Sequence, residues 1–383
     1  MWQSIKRLFL KDTVLSLSIL LAVCSMLPVH PDREYMGYID VRTLAILFCL
    51  MAVVGGWKEI GLFDFLAQQM LVRIKKMWQV VLLLVLLCFF FGMIITNDVA
   101  LITFVPLTII VLKQMGEDYK NKWLVCIVVM QTIAANLGSM LTPIGNPQNL
   151  YLFEKANMGV GEFVLCMLPY SIFALAMLLL WIFLIFMKRR MGKCMDKEKT
   201  LSIEVPNQIA ITEKKKCFVY LILFLICLLT VARVIPYWLV LVIVIIVMLL
   251  MDTKVLKNVD YSLLGTFVGF FIFIGNLGRI PVFHDFLSTI MEGHEIITAV
   301  LSSQVMSNVP AALLLSGFTQ RYDLLLVGVN LGGLGTLIAS MASLISYKYI
   351  AGEDRQMKGN YLFCFTVANL LFLGAYFLFL QVF

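Results

Sequence analysis

The chain has 383 residues, of which 61% are hydrophobic and 14% charged, and carries a formal net charge of +7. Soluble domains run at about 45–50% apolar and about 25% charged, so this composition excludes a soluble globular protein and defines an all-α polytopic membrane protein. Three His and nine scattered Cys form no CxxC or HExxH spacing, so neither a disulfide framework nor a zinc site is indicated. Cys49, Cys88 and Cys227 lie inside apolar runs and read as free packing thiols.

In chain order, hydropathy marks spans over 13–28 and 41–56, a hairpin over 79–113, an interrupted span over 122–150 and a span over 162–187. After a basic segment come spans over 217–233, 236–251 and 260–277, a second hairpin over 296–319, an interrupted span over 322–346 and a last span over 359–382. Short amphipathic pieces over 62–75 and 281–292 belong at the interface. The first apolar run, Val14 to Val29, lacks a small-residue cleavage site and reads as a membrane helix.

The positive charge reports topology. With a cytoplasmic N-terminus and both hairpins returning to the side they enter from, 24 of the 30 Lys and Arg fall on one side, leaving Arg33, Arg42, Lys155, Arg233, Arg279 and Arg321 on the other. This distribution obeys the positive-inside rule. Residues 1–187 then form an N-terminal membrane repeat, 188–216 a basic cytoplasmic linker and 217–383 a C-terminal inverted repeat.

Thr96-Asn97-Asp98 interrupts the first hairpin. A charge at bilayer depth costs about 2.5–3.5 kcal/mol even on insertion scales, so such residues are functional by default. The flanks, Val80–Ile95 and Ala100–Leu112, are shorter than the roughly 20 residues of a full span, which favours a re-entrant hairpin over two ordinary spans with a polar kink. Ser307-Asn308-Val309 occupies the matching place in the second hairpin. The stretch from Asn136 to Ile144 aligns with that from Asn330 to Ile338, 194 residues on, and Asp64-Phe65-Leu66 echoes Asp285-Phe286-Leu287. An odd number of crossings separates the equivalent spans, so the expected architecture is a pair of inverted repeats whose broken helices meet near the midplane.

The first broken helix carries Gly138, Pro143, Gly145 and Pro147 among Asn136, Ser139, Thr142, Asn146 and Asn149. Two prolines remove amide donors and glycine admits non-helical backbone, so this span should unwind and expose carbonyls for a cation or amides for an anion. A packing kink is the alternative. The second, with Gly332 among Asn330, Thr336 and Ser340, is explained in part by close helix packing. Asp98 has no Lys or Arg at its expected depth, which suits either a proton carrier or a Na⁺ ligand.

Three motifs, TNDVALITFVPL (96–107), GSMLTPIGNPQNL (138–150) and SSQVMSNVPAALLL (302–315), resemble those of the ion-transporter superfamily. That group includes arsenite pumps, sodium/proton antiporters, citrate carriers and divalent-anion:sodium symporters, and the chain is most similar to its small bacterial inner-membrane permeases with a citrate-transporter-like domain. The resemblance implies an elevator-type homodimer whose mobile domain carries both hairpins and both broken helices. It also implies solute and ion binding by Thr96, Asn97, Asp98, Ser307 and Asn308 with the helix breaks, and Na⁺ near Asn97, Asp98, Gly145 and Asn308. Asp98 and Val309 stand where the symporters have threonine.

The expected function is ion-coupled (Na⁺ or H⁺) secondary transport of a small anion or weak acid, either carboxylate-like or an inorganic oxyanion, across the cell inner membrane. The partners expected are that solute and the bilayer, with no nucleic acid and no cofactor beyond the coupling ion. A proton-driven, arsenite-type efflux permease is the alternative. An intramembrane enzyme is disfavoured by the lack of HExxH and GxSxG motifs, and no ATP-binding P-loop occurs.

Overall fold

The structure is a computed structural model that describes residues 13–71, 74, 76–191, 213–354 and 356–382. Most of the expected linker, residues 192–212, and the basic N-terminal residues 1–12 lie outside the described residues. All regular structure among the described residues is helical, as lipid-exposed backbone requires when no water is present to satisfy it.

The first half contains α1 (Thr13–Ser25), α2 (Val41–Glu59), a short α3 (Leu62–Leu71), a helical pair α4 (Met77–Ile95) and α5 (Asn97–Met115), α6 (Glu117–Gly138), α7 (Pro147–Lys155) and α8 (Val160–Met191). The second half contains α9 (Lys214–Val231), α10 (Tyr237–Met251), α11 (Tyr261–Gly278), a short α12 (Pro281–Met291), the pair α13 (Glu295–Met306) and α14 (Asn308–Leu315), α15 (Tyr322–Leu331), α16 (Met341–Glu353) and α17 (Met357–Leu380). Asp40 and Asp260 cap α2 and α11 alike, each accepting the N–H three residues on at 3.0 Å.

Seven described helices are long and apolar enough to cross a membrane, so this is a multi-pass membrane protein. Large apolar side chains such as Phe183, Leu250 and Phe363 stand out from α8, α10 and α17 at 60%, 81% and 71% exposure, a surface suited to lipid and not to water. Inside, α4 and α5 lie along α6, α13 lies along α15, α9 and α10 flank α2, and α1 runs against α11.

The first helical pair is an antiparallel hairpin. The buried Gln131 amide on α6 donates to Leu84 O on one arm at 3.3 Å and to Phe104 O on the other at 3.4 Å, so the arms run side by side. Its arms differ from expectation in length: each is a 19-residue helix, because the helices continue past the apolar runs through Met77-Trp78-Gln79 and Lys113-Gln114-Met115. Length alone therefore does not separate this hairpin from two crossings. The second pair has arms of 12 and 8 residues. At 1.5 Å per residue these reach only about 18 and 12 Å, short of a hydrocarbon core of about 30 Å. Their outer ends meet where Thr319 donates to Glu295 at 3.4 Å.

Ion pairs between separate elements link segments that the charge count places on one face. Arg42 and Arg233 meet Glu154, Arg279 meets Asp32 and Glu34, Lys216 meets Asp252, and Lys113 and Lys120 meet Glu353. The last set ties the ends of α5, α6 and α16 at distances of 2.6 and 3.1 Å, and the hydrogen bond from Lys113 chiefly holds the Glu353 carboxyl below its ordinary range. Because the folded state favours the ionised form, this stabilisation is complete above the ordinary glutamate value of about 4.3 and is lost as pH falls through the lower folded value. Glu353→Gln should lower stability by about 1 kcal/mol at pH 7. The difference from the native protein should vanish in acid, as read from thermal midpoints in detergent at both pH values.

Candidate functional site

Both hairpin tips turn on a single residue in the same unusual conformation. Thr96 has φ 73 and ψ 152, and Ser307 has φ 75 and ψ 154. This region belongs almost entirely to glycine, and a side chain there costs about 1–3 kcal/mol unless its surroundings hold it. What holds each tip is a helix break. The N–H of Asn97 donates to Gly145 O at 3.3 Å, and the N–H of Asn308 donates to Ala339 O at 3.0 Å. Beyond each acceptor lies an extended residue, Asn146 (φ −145, ψ 148) or Ser340 (φ −142, ψ 136), that starts the next helical piece.

Breaking a helix inside the protein frees carbonyls, and buried amide side chains take them up. Asn149 donates to Ser139 O, Met140 O and Thr142 O at 3.2, 3.4 and 3.2 Å. Gln304 does the same for the other break, donating to Gly332 O and Leu334 O at 3.0 and 2.9 Å and accepting the Thr336 N–H at 2.8 Å. The Thr142 hydroxyl ties its break to Met93 O beside the first tip, and the Thr336 hydroxyl ties the other to Gln304 O beside the second.

Two asparagines join the halves. Asn136 Oδ1 accepts from Asn97 Nδ2 and from Ser340 Oγ, both at 3.0 Å, and its amide faces Gly333 O and Ser343 Oγ at 3.5 Å. Asn330 Nδ2 donates to Asn149 Oδ1 at 2.7 Å, and Asn330 Oδ1 faces Asn146 Nδ2 at 3.5 Å. Ser139 connects the two groups, accepting from Asn146 at 2.7 Å and donating to Asn136 O at 2.9 Å. Three predicted glycines serve contact. A Cβ at Gly138 would lie 2.1 Å from Phe89 O, one at Gly145 2.0 Å from Ser139 O, and one at Gly332 2.5 Å from Ser303 Oγ.

The predicted residues thus gather around the two tips and two breaks. Asp98 Oδ1 and Asn146 Oδ1 are buried oxygens with no hydrogen-bond donor. The Asp98 backbone N–H donates to Asn97 Oδ1 at 2.8 Å, and at the other tip Val309 is buried in the position that Asp98 holds. Among the described residues, no group of three or more His, Cys, Asp or Glu could hold a metal ion. Gln131, buried, and Gln304, half-buried, both in the site's supports, escaped the sequence reading, whereas Ser343 was among the polar residues expected in the second broken span. The signal available was a neutral amide or hydroxyl inside an apolar run.

Residues 2–321 match the family model described as citrate transporter. The chain is 33% identical over 341 residues to the uncharacterized transporter MJ0456 of Methanocaldococcus jannaschii, covering 89% of each chain. It is 30% identical over 328 residues to the inner membrane protein YbiR of Escherichia coli, covering 85% of this chain and 83% of that one. A shorter likeness, 29% over 141 residues, covers 37% of this chain and 28% of the silicon efflux transporter LSI3 of Oryza sativa. The chain belongs to the citrate transporter family. It is a secondary transporter of the small-anion class, not an enzyme.

Three substitutions probe the tips and their anchor in opposite directions. Thr96→Gly or Ser307→Gly should stabilise the protein by about 1 kcal/mol, since relief of strain exceeds the entropy glycine adds to the unfolded chain. Asn136→Ala should destabilise it by about 1–3 kcal/mol, because buried donors on Asn97 and Ser340 lose their acceptor. Thermal unfolding of the purified variants checks both.

Proposed function

We propose that the chain is an ion-coupled secondary transporter of a small anion or weak acid, working by alternating access between two inverted repeats. The observation that carries this reading is the equivalence of the two tips: equal backbone angles, the same bond from the following amide into the adjacent break, and the same threonine tie. Inverted repeats with discontinuous helices place substrate and coupling ion where the broken ends meet. In this reading α4–α8 and α13–α17 form the moving domain, and α1, α2 and α9–α11 form a frame that also supports a homodimer. The inner membrane holds the protein, with its N-terminus and the 188–216 linker in the cytoplasm.

The tips favour a particular solute chemistry. A carboxylate at Asp98 repels an anion unless a proton or Na⁺ intervenes, and Val309 offers the solute no hydrogen bond. Uncharged amides and hydroxyls at Asn97, Asn308, Asn136 and Ser340 suit a weak acid carried with its proton, or an anion that enters with a cation. The unpaired oxygens of Asp98 and Asn146 support a cation at this place. Efflux of a weak acid against protons is the second reading, favoured by Asp98 and by the likeness to a silicon efflux transporter.

Reconstitution in liposomes with an internal pH dye distinguishes these readings. Adding citrate, succinate, sulfate or arsenite, with and without Na⁺, should move protons or require Na⁺ for at least one solute. Asp98→Asn should lower that flux by about tenfold or more, as expected for loss of an intramembrane carrier group. Flux indifferent to every ion gradient, in a protein shown to be folded, overturns the coupled-carrier reading.

A further inference from the structure

Away from the tips, a partly buried charge cluster joins the two groups of helices. Glu154, in the last turn of α7, meets the Arg42 guanidinium of α2 at 2.8 Å and that of Arg233, in the α9–α10 turn, at 3.6 Å. The Glu154 side chain is 6% exposed, so these pairs are not screened as surface pairs are. Arg233 also donates to Asn157 O and Phe153 O at 3.2 and 3.4 Å, and its guanidinium lies 5.2 Å from the centre of the Phe153 ring. Those carbonyls are at the C-terminal end of α7, where the helix dipole favours a cation. Arg42 donates in turn to Thr230 O of α9 at 3.1 Å.

Aromatic contacts line another part of this boundary. Tyr151 of α7 packs on Phe267 and Phe271 of α11, with ring centroids 6.2 and 5.6 Å apart. Aromatic surfaces can slide past one another, but a buried carboxylate between two guanidiniums cannot shift by a helical turn without losing its partners. The opposite face lacks the same arrangement. At the 194-residue offset that relates the two breaks, the position of Glu154 is taken by Lys348 of α16, which is exposed and has no partner among the described residues.

We propose that Glu154, Arg42 and Arg233 form a latch between the moving domain and the frame. It holds the carrier in the conformation seen here and breaks in every transport cycle. Glu154 acts as a positioning residue, setting the balance between the two access states without touching solute. The latch rests on the two-domain reading above, since only relative movement of α7 against α2 and α9 gives it work to do.

Hydrogen–deuterium exchange on the full-length protein in liposomes tests it without a solute. Glu154→Gln should speed exchange by about tenfold or more in segments 153–159 and 228–236, while α17 keeps its native protection. Glu154→Asp, which retains the charge, should stay within about threefold of native, and Lys348→Gln should match it. In the flux assay Glu154→Gln should change the transport rate while leaving the solute and ion requirements unaltered. Native exchange in Glu154→Gln, or faster exchange throughout the chain including α17, overturns the latch. Should the native protein move no solute while Glu154→Gln still frees only these segments, the clamp between the two helix groups stands and its breaking in a transport cycle is overturned.

Discussion

Backbone that leaves the helix inside a membrane has no water to turn to, and every freed carbonyl and amide must find a partner in the protein. The two helix breaks of this chain obey that constraint by the same means. Each has one carboxamide, the buried Asn149 or the half-buried Gln304, that bonds several carbonyls at once. Each also lends one carbonyl, of Gly145 or Ala339, to the amide of the facing hairpin tip. The breaks and tips are therefore mutually dependent: neither can be polar, irregular and buried without the other.

That dependence explains where the strain sits. Thr96 and Ser307 adopt backbone angles that glycine would tolerate more easily, yet both present a hydroxyl-bearing residue. Packing over-determines them, with the tip amide fixed on a break and Asn136 gripping the first tip and the second break together. Strain of this kind gathers at sites where two arrangements compete. A set of neutral amides is also well suited to a wet, changing site, because it can exchange a protein partner for a solute at lower cost than a fixed charge could.

Charge is used differently, at the ends of the helices. The Lys113, Lys120 and Glu353 cluster binds helices of one group together, and the Glu154 cluster binds one group to the other. The first contact lies within one helix group. The second joins the two helix groups whose relative movement is proposed, so of the two clusters it is the one that bears on that proposal.

Much of this was legible in the residues. Hydropathy alone placed most of the long helices to within a few residues, since a bilayer leaves an apolar run few choices, though it missed the short helices Tyr35–Tyr38 and Thr253–Lys257 and ended the second broken span seven residues before Glu353; the charge count grouped the loops into faces that the ion pairs respect. The polar interruptions at Asn97, Asn136, Asn146, Asn308 and Asn330 marked the site because polar groups at that depth are costly. Three things were decided only by tertiary structure. The arms of the first hairpin run to 19 residues each, past the apolar runs into Met77-Trp78-Gln79 and Lys113-Gln114-Met115. Gly138 and Gly145 proved to permit backbone contact and Gly332 the approach of the Ser303 side chain, and Gln131 and Gln304 proved to hold the site together, because a hydrogen bond between residues far apart in sequence leaves no local pattern. The meeting of Glu154 with Arg42 and Arg233 likewise had no trace in the chain, since three charges at three helix ends read as topology until folding brings them within reach.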